Sequence, residues 1–502
     1  MSLGCLIIAE NQEELRTFST VSCFFARRLD GLENQEQSGD RTTLTYSPRV
    51  RLSHGLAKIS LAVGILASGC KDRPWVLDPD GAVLVGGDTA DHSVPVDLAI
   101  PDKPCHLLSS GPPATTLTYT DPRSNWHSEG LVGRSGQHVL QYGTANVRFG
   151  VWEDDAIRVR EYDVANWPPT AVGAETEIHG SVHSPVTLFE ETPDQLGAVF
   201  FTDHDGGGPN GVKYRSIKPS TWALGPDVFV APDQSLLTTP VAFPAGDRFA
   251  VATLGYQMPM MLGVYGSDGS KLQQQTKQDL PPALADLTRL AVGRTDQRVF
   301  VVAASNACTG DMACPVGSID LYRLDGATSN STPLALVKTA SIPAPISNTY
   351  VYSPMLLSDH DRHHFLTWWE LTDGKRSSLF AMPIAADGTP AGPIEAWFKT
   401  TLVVSTFQLQ PSVGKLGVIF PVGLFVPSDG ETLREVHVLQ RQLAEDAPIE
   451  DTLVATTAFT SFSIATVQFD QPRSLIVGYS TYTLLGSGGG AGMMSKYVCS
   501  ED

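Results

Sequence analysis

One pattern keeps returning along this chain. An apolar, β-rich run leads into a polar turn and then into a second alternating strand, often closing on Asp-Gly. The runs begin at Asn146, Leu196, Arg248, Arg298, His363, Lys415 and Ser474, as in LGAVFFTDHDGGGPNGVKYRSI from Leu196 and HHFLTWWELTDGKRSSLFAMPIAADG from His363. Their spacing is about 50 residues, with longer intervals before His363 and Ser474. Ahead of several stands a further strand with a small or polar residue and proline: His183-Ser184-Pro185-Val186, Thr239-Pro240-Val241, Tyr352-Ser353-Pro354-Met355 and Gln410-Pro411-Ser412-Val413. Alternation of period two marks strands rather than helices, and even Leu433–Gln442, the best helical stretch, contains VHVLQ and works equally well as a strand. A unit of three or four short strands cannot cover both of its faces, whereas radial stacking lets neighbours cover one another. The expected fold is therefore all-β: a β-propeller over residues 115–499, seven-bladed with six or eight as the margin. A pair of β-sandwiches is the rival.

Composition narrows the partners. Against 35 Lys and Arg stand 54 Asp and Glu, a formal net charge of −19. A nucleic-acid surface needs clustered cations, so no nucleic-acid partner is expected. Electrostatic docking on anionic lipid is excluded on the same ground.

Residues 49–70, RVRLSHGLAKISLAVGILASGC, combine a basic segment (Arg49, Arg51, Lys58), an apolar run too short to span a bilayer, and small residues before a cysteine. This stretch resembles a bacterial lipoprotein signal ending in the lipobox Leu66-Ala67-Ser68-Gly69-Cys70, with Ala67 where leucine is commoner. The resemblance implies cleavage between Gly69 and Cys70 and lipidation (diacylglycerol, and palmitate on the amine) of Cys70. Lys71 follows the cysteine where an inner-membrane retention signal would place Asp, so the implied location is the outer membrane. Residues 1–48 show no amphipathic period and read as an extension ahead of the true start, expected at Val50, whose codon can initiate in bacteria. A genuine cytoplasmic extension before an uncleaved anchor is the alternative. Residues 71–114, rich in Pro, Gly and Asp, read as a tether. The whole is similar to the extracytoplasmic propeller lipoproteins of Gram-negative bacteria, without the WD dipeptides, kelch double glycines or sialidase Asp-boxes that would name a subfamily.

Beyond Cys70 four cysteines remain: Cys105, Cys308, Cys314 and Cys499. An even count past a signal is what an oxidising compartment produces, and three connectivities are open. The favoured pairs are Cys308–Cys314, a short local loop, and Cys105–Cys499, which would tie the two ends of the folded part together; free buried thiols are the alternative.

Three stretches could carry chemistry. Asp203, Asp205 and Asn210 in a glycine-rich hairpin could offer oxygens to calcium, but the glutamate that completes an EF-hand loop is replaced by Tyr214. A β-turn stabilised by Asp is the plainer reading. Asp359-His360-Asp361-Arg362-His363-His364 suits a transition metal in composition. Adjacent strand residues face opposite ways, however, so a solvated turn fits it better. Trp152, Glu153 and Asp154 match Trp368, Trp369 and Glu370 in two units, where aromatics beside carboxylates could bind or cleave sugars or could simply pack blade to blade.

The preferred function is a lipid-anchored binding or scaffold module, not an enzyme, with no cofactor required. Its partners would be the membrane, through the lipid, and an envelope protein or glycan. The alternatives are a glycan-active enzyme of sialidase-like or glycosidase type and a calcium-dependent adhesion domain. The start at Val50 predicts that N-terminal mass spectrometry of the native protein finds no peptide from upstream of that residue; one such peptide overturns it.

Overall fold

A computed structural model of the chain describes residues 105–500 apart from 119–124, 147–154, 193, 203–210, 233–238, 246–247, 255–259, 282–288, 296–297, 305–317, 328–330, 344–349, 359–362, 373–375, 406–408, 428–431, 443–447, 458–462 and 482–490. Among the described residues regular structure is β-strand throughout, except for a 3-10 turn at Lys277–Asp279.

The strands form seven blades, the first two joined in one sheet by a shared strand; the described pairings are antiparallel except that of Leu409–Gln410 with the start of Ile464–Asp470, which is parallel. Blade 1 is Asn125–Arg134, His138–Asn146, Asp155–Asp163 and the first part of Thr170–Thr192. That long strand runs on without a break. Its residues 170–182 pair with Asp155–Asp163, and its residues 183–192 pair with Gln195–Thr202 as the innermost strand of blade 2. Gly211–Lys218 and Val228–Pro232 complete blade 2. Blade 3 is Thr239–Pro244, Arg248–Leu254, Met261–Gly266 and Lys271–Gln275; blade 4 is Arg289–Thr295, Arg298–Ala304, Ser318–Asp325 and Ala335–Pro343. Blade 5 is Tyr350–Ser358, His364–Thr372, Arg376–Ile384 and Glu395–Thr400. In blade 6 the inner pieces Val403–Ser405 and Ser412–Gly414 both pair with Gly417–Pro427, followed by Thr432–Arg441 and Ile449–Thr457. Blade 7 is Ile464–Asp470, Arg473–Thr481 and Ala491–Ser500, with His106–Ser109 from the other end of the chain as its outermost strand. Innermost strands of successive blades touch one another all the way round, blade 7 meeting blade 1.

Burial follows this geometry. The second strand of blade 2, Gln195–Thr202, is buried at every position after the first. Both of its faces are covered by neighbouring sheets. Outermost strands such as Lys271–Gln275 and Ala335–Pro343 are exposed or half-buried at every position but Ile342, having solvent on one side. Of the prolines noticed in the sequence, Pro185, Pro240 and Pro354 sit on innermost strands, and Pro411 stands between the short strands Leu409–Gln410 and Ser412–Gly414. Pro185 and Pro354 coincide with register shifts between His183 and Val186 in blade 2 and between Tyr352 and Met355 in blade 5. An innermost strand has a free edge toward the ring axis, where a residue without N–H costs no ladder bond. The Asp-Gly pairs at 268–269 and 387–388 are hairpin turns to the outermost strands of blades 3 and 5. Asp268 and Asp387 accept the backbone N–H of Ser270 (2.8 Å) and Thr389 (3.0 Å), and Gly269 and Gly388 take φ of 81° and 84°, which glycine adopts without strain.

Ring closure is held in several ways. Leu131, Val139, Tyr162 and Val164 of blade 1 share an apolar cluster with Ala465, Val467, Ile476 and Met494 of blade 7. Gln410 bonds both backbone groups of Leu131, accepting from its N–H (3.1 Å) and donating to its carbonyl (2.8 Å). Lys496 of blade 7, almost fully buried, donates to the carbonyls of Val164 and Ala165 beyond the third strand of blade 1. Burial pulls its pKa down, and Asp163 opposes the shift. Cys105 and Cys499 are joined in a disulfide, so the pairing favoured from the sequence is present and spans 394 residues of chain.

One boundary is corrected. Among the described residues the first strand of the propeller is His106–Ser109, inside the stretch read as tether, and residue 115 falls within the strand Ala114–Thr118, which also pairs with Ala491–Ser500. Four residues between Pro- and Gly-rich stretches carry too little periodicity to be recognised, because their strand is defined by a partner at the far end of the chain. Closing so long a loop with a covalent bond predicts that Cys105→Ala with Cys499→Ala, or reduction, costs about 3–5 kcal/mol of unfolding free energy. Urea melts with and without reductant test this.

Candidate functional site

Of the residues singled out in the sequence, Trp368, Trp369 and Glu370 are described, and all three are buried completely. They lie on the second strand of blade 5, where both faces meet neighbours. The Trp368 indole N–H donates to Glu370 Oε1 at 2.9 Å, and its ring lies along Phe380 (5.9 Å). Trp369 meets Phe398 and, on blade 6, Phe420, edge-on at 6.3 and 6.4 Å. This is blade-to-blade packing, with the carboxylate as acceptor for a buried indole. His364 is buried within the same strand, its Nδ1 2.7 Å from the Ser358 hydroxyl across the ladder. His363, half-buried, precedes it. Trp152, Glu153 and Asp154, the hairpin residues Asp203, Asp205 and Asn210, Asp359–Arg362, the pair Cys308 and Cys314, and Gly69 with Cys70 lie outside the described residues. Among those described, no group of three His, Cys, Asp or Glu side chains could hold a metal ion.

Two polar clusters that the sequence did not reveal stand between blades. The first joins blades 2 and 3. Glu191, at the end of the long strand, accepts from the Tyr214 hydroxyl (2.8 Å) and from the Gln195 amide. Tyr214 and Gln195 also reach the carbonyl of Ser267, on a turn of blade 3, at 2.8 and 2.9 Å. Phe189, Tyr214, Phe249 and Tyr265 wall the cluster, Tyr214 stacking on Phe249 at 4.4 Å. Gly197 makes the room. A Cβ there would stand 2.5 Å from the Phe189 ring and 2.8 Å from Glu191 Oε1. Burial pushes the Glu191 carboxyl up to about 7, against the lowering effect of its two hydrogen bonds. Burial and the neighbouring Glu191 carboxyl together raise Tyr214 beyond the ordinary phenol range. Sequence reasoning passes over this cluster; the signal the sequence carries for it is that Phe189 and Glu191 are two apart on a strand and so share a face.

The second cluster joins blades 1 and 2. Asp227 meets His179 Nε2 at 2.9 Å, Arg215 Nε at 2.5 Å and, more loosely, Lys213 Nζ at 3.7 Å. Arg215 also donates to the carbonyl of Ile178. Burial alone would raise Asp227; the hydrogen bond from His179, then the charge and hydrogen bond of Arg215, hold it below its ordinary value. Elsewhere the same joining is done by amides and ion pairs. Gln273 and Gln275 of blade 3 bond the backbone at Thr332 and Leu334 of blade 4, and Glu395 of blade 5 pairs with Arg441 of blade 6 at 2.8 Å. The chemistry these groups supply is cohesion between sheets.

No family model matches the chain, and no curated protein matches it. Among solved structures, the β-propeller domain of the Trilobed protease from Pyrococcus furiosus is similar at 8% identity, covering 75% of this chain and 94% of that one, with a TM-score of 0.39. The α-L-arabinanase of Penicillium chrysogenum, complexed with arabinobiose, stands at 9%, 78% and 98%, with 0.38. The hemagglutinin-neuraminidase ectodomain of parainfluenza virus 5 stands at 9%, 90% and 96%, with 0.41.

A packing role for Glu370 predicts that Glu370→Ala, which leaves a buried indole N–H without its acceptor and a void beside it, costs about 2–4 kcal/mol in urea unfolding. Glu370→Gln, which keeps an acceptor oxygen, costs less. A carboxylate kept for catalysis would leave stability nearly unchanged in both.

Proposed function

We propose that this chain is a lipid-anchored, extracytoplasmic propeller that serves as a binding or scaffold module of the outer membrane. The observation that carries the reading is the Cys105–Cys499 disulfide. Disulfides form and persist in oxidising compartments, and this one follows a stretch that resembles a lipoprotein signal. Cys70 would take the lipid, with residues 71–104 between it and the ring. A body of formal charge −19 is repelled by anionic headgroups, so acyl chains would have to supply the membrane affinity.

A module rather than an enzyme is supported by how the described polar groups are used. Glu370, which a glycan-cleaving reading would place at an open mouth, is fully buried beside Trp368. The inter-blade clusters likewise bond one sheet to the next. A stiff ring of this kind presents loops at its two ends as a recognition surface.

Intact mass and metabolic labelling with a palmitate analogue test the assignment together. The native protein should begin at lipidated Cys70, run about four daltons lighter before reduction if both favoured disulfides form, and sediment with the outer membrane. Cys70→Ala should lose the label and the membrane association. An unlabelled chain running from Met1 with reduced thiols would overturn the reading.

A further inference from the structure

With Glu191 ionised, the cluster between blades 2 and 3 has more close contacts than donor protons to fill them. Four close contacts link Glu191, Gln195, Tyr214 and the Ser267 carbonyl. The Gln195 amide has two protons, one for Glu191 Oε2 and one for the Ser267 carbonyl. The Tyr214 hydroxyl has one, yet it stands 2.8 Å from Glu191 Oε1 and 2.8 Å from the Ser267 carbonyl. With Glu191 ionised, two acceptors compete for that proton. With Glu191 protonated, the carboxyl donates to the phenol oxygen and the phenol donates to Ser267. Every contact is then a hydrogen bond.

We propose that the Glu191–Tyr214–Ser267 bridge is a proton-operated joint: protonated Glu191 docks the Ser267–Ser270 turn of blade 3 onto blade 2, and its ionisation draws the Tyr214 proton away from Ser267 and loosens that turn. The surroundings favour the protonated form. Phe189 and Phe249 keep water back, and Tyr214 lies in the same apolar wall. Among the described residues, the titratable groups that bear on the bridge are Tyr214 of blade 2 and, acting on Tyr214, Asp268 of blade 3, with Tyr265 of blade 3 in the same apolar wall. Tyr265 donates to the carbonyl of Val230 at 2.6 Å. Asp268, held low first by its hydrogen bonds to Ser270, remains an anion beside the joint. Burial raises Glu191 to about 7. The folded state therefore holds one proton more than the unfolded state between the ordinary glutamate range and neutrality, and the joint weakens as pH rises through about 7.

Hydrogen exchange on the full-length protein tests this at the Gly269 and Ser270 amides, which bond Gly266 and Asp268 within the turn. Protection of these amides, corrected for intrinsic rate, should fall about tenfold between pH 6 and pH 8 in the wild type. It should stay level in Glu191→Gln, which keeps a neutral group at that position. Parallel curves in the two proteins overturn the proposal. Should Glu191→Gln not fold, the carboxylic-acid carbonyl band in the infrared spectrum of the wild type decides. A band present at pH 6 and lost by pH 8.5 supports the joint, and its absence at pH 6 removes it.

Discussion

A radial sheet is covered only if it has a neighbour on each side, so everything in this molecule depends on blade 7 meeting blade 1. Open that contact, and the Leu131–Val467 cluster faces water along with the buried ammonium of Lys496. The apolar cluster alone would let the two sheets slide. Directional bonds fix the register: Gln410 clasps both backbone groups of Leu131, and Gln137 donates to the carbonyl of Gln471 at 3.0 Å. Hydrophobic burial supplies the driving force, and amides facing backbone supply the alignment.

Glutamine recurs in that second role. Gln195, Gln273, Gln275, Gln410, Gln442 and Gln468 all donate to backbone carbonyls lying on another sheet. A primary amide suits the task, since it can imitate a peptide group and bond the end of a neighbouring sheet as another strand would. It carries no charge, so its burial between blades costs less than that of Lys or Glu. Elsewhere ionisable groups do the joining, as in the clusters around Glu191 and Asp227, the Glu395–Arg441 pair and Lys496, and there solution conditions can reach the joint.

How much of this could be read from the sequence follows from the range of each interaction. The middle strands of each blade were legible because both faces are buried, and the sequence records it locally, as in Gly197–Thr202 or Leu366–Glu370. The blade number and the pairing of Cys105 with Cys499 followed from counting such runs and asking where the ends would meet. The strand His106–Ser109 did not stand out, because its order comes from Ala491–Ser500. Glu191 and Gln195 flank what reads as a polar hairpin turn, Thr192-Pro193-Asp194. Their significance rests on Ser267, more than seventy residues away. Trp368 and Glu370 invited a functional reading because an acidic residue beside aromatics looks the same in sequence whether it lines a cleft or caps a buried indole.

The position of Cys105 has a mechanical consequence. It stands directly before the four-residue strand that completes blade 7, on the side from which the preceding chain arrives. Tension applied through that preceding chain reaches the disulfide first and passes covalently into Ala491–Ser500, the third strand of the blade. The backbone pairs of His106–Ser109 are shielded from the load, where otherwise they would open one at a time, like a zip pulled from its end. The ring can thus be hung by its N-terminal side without being unwound from it.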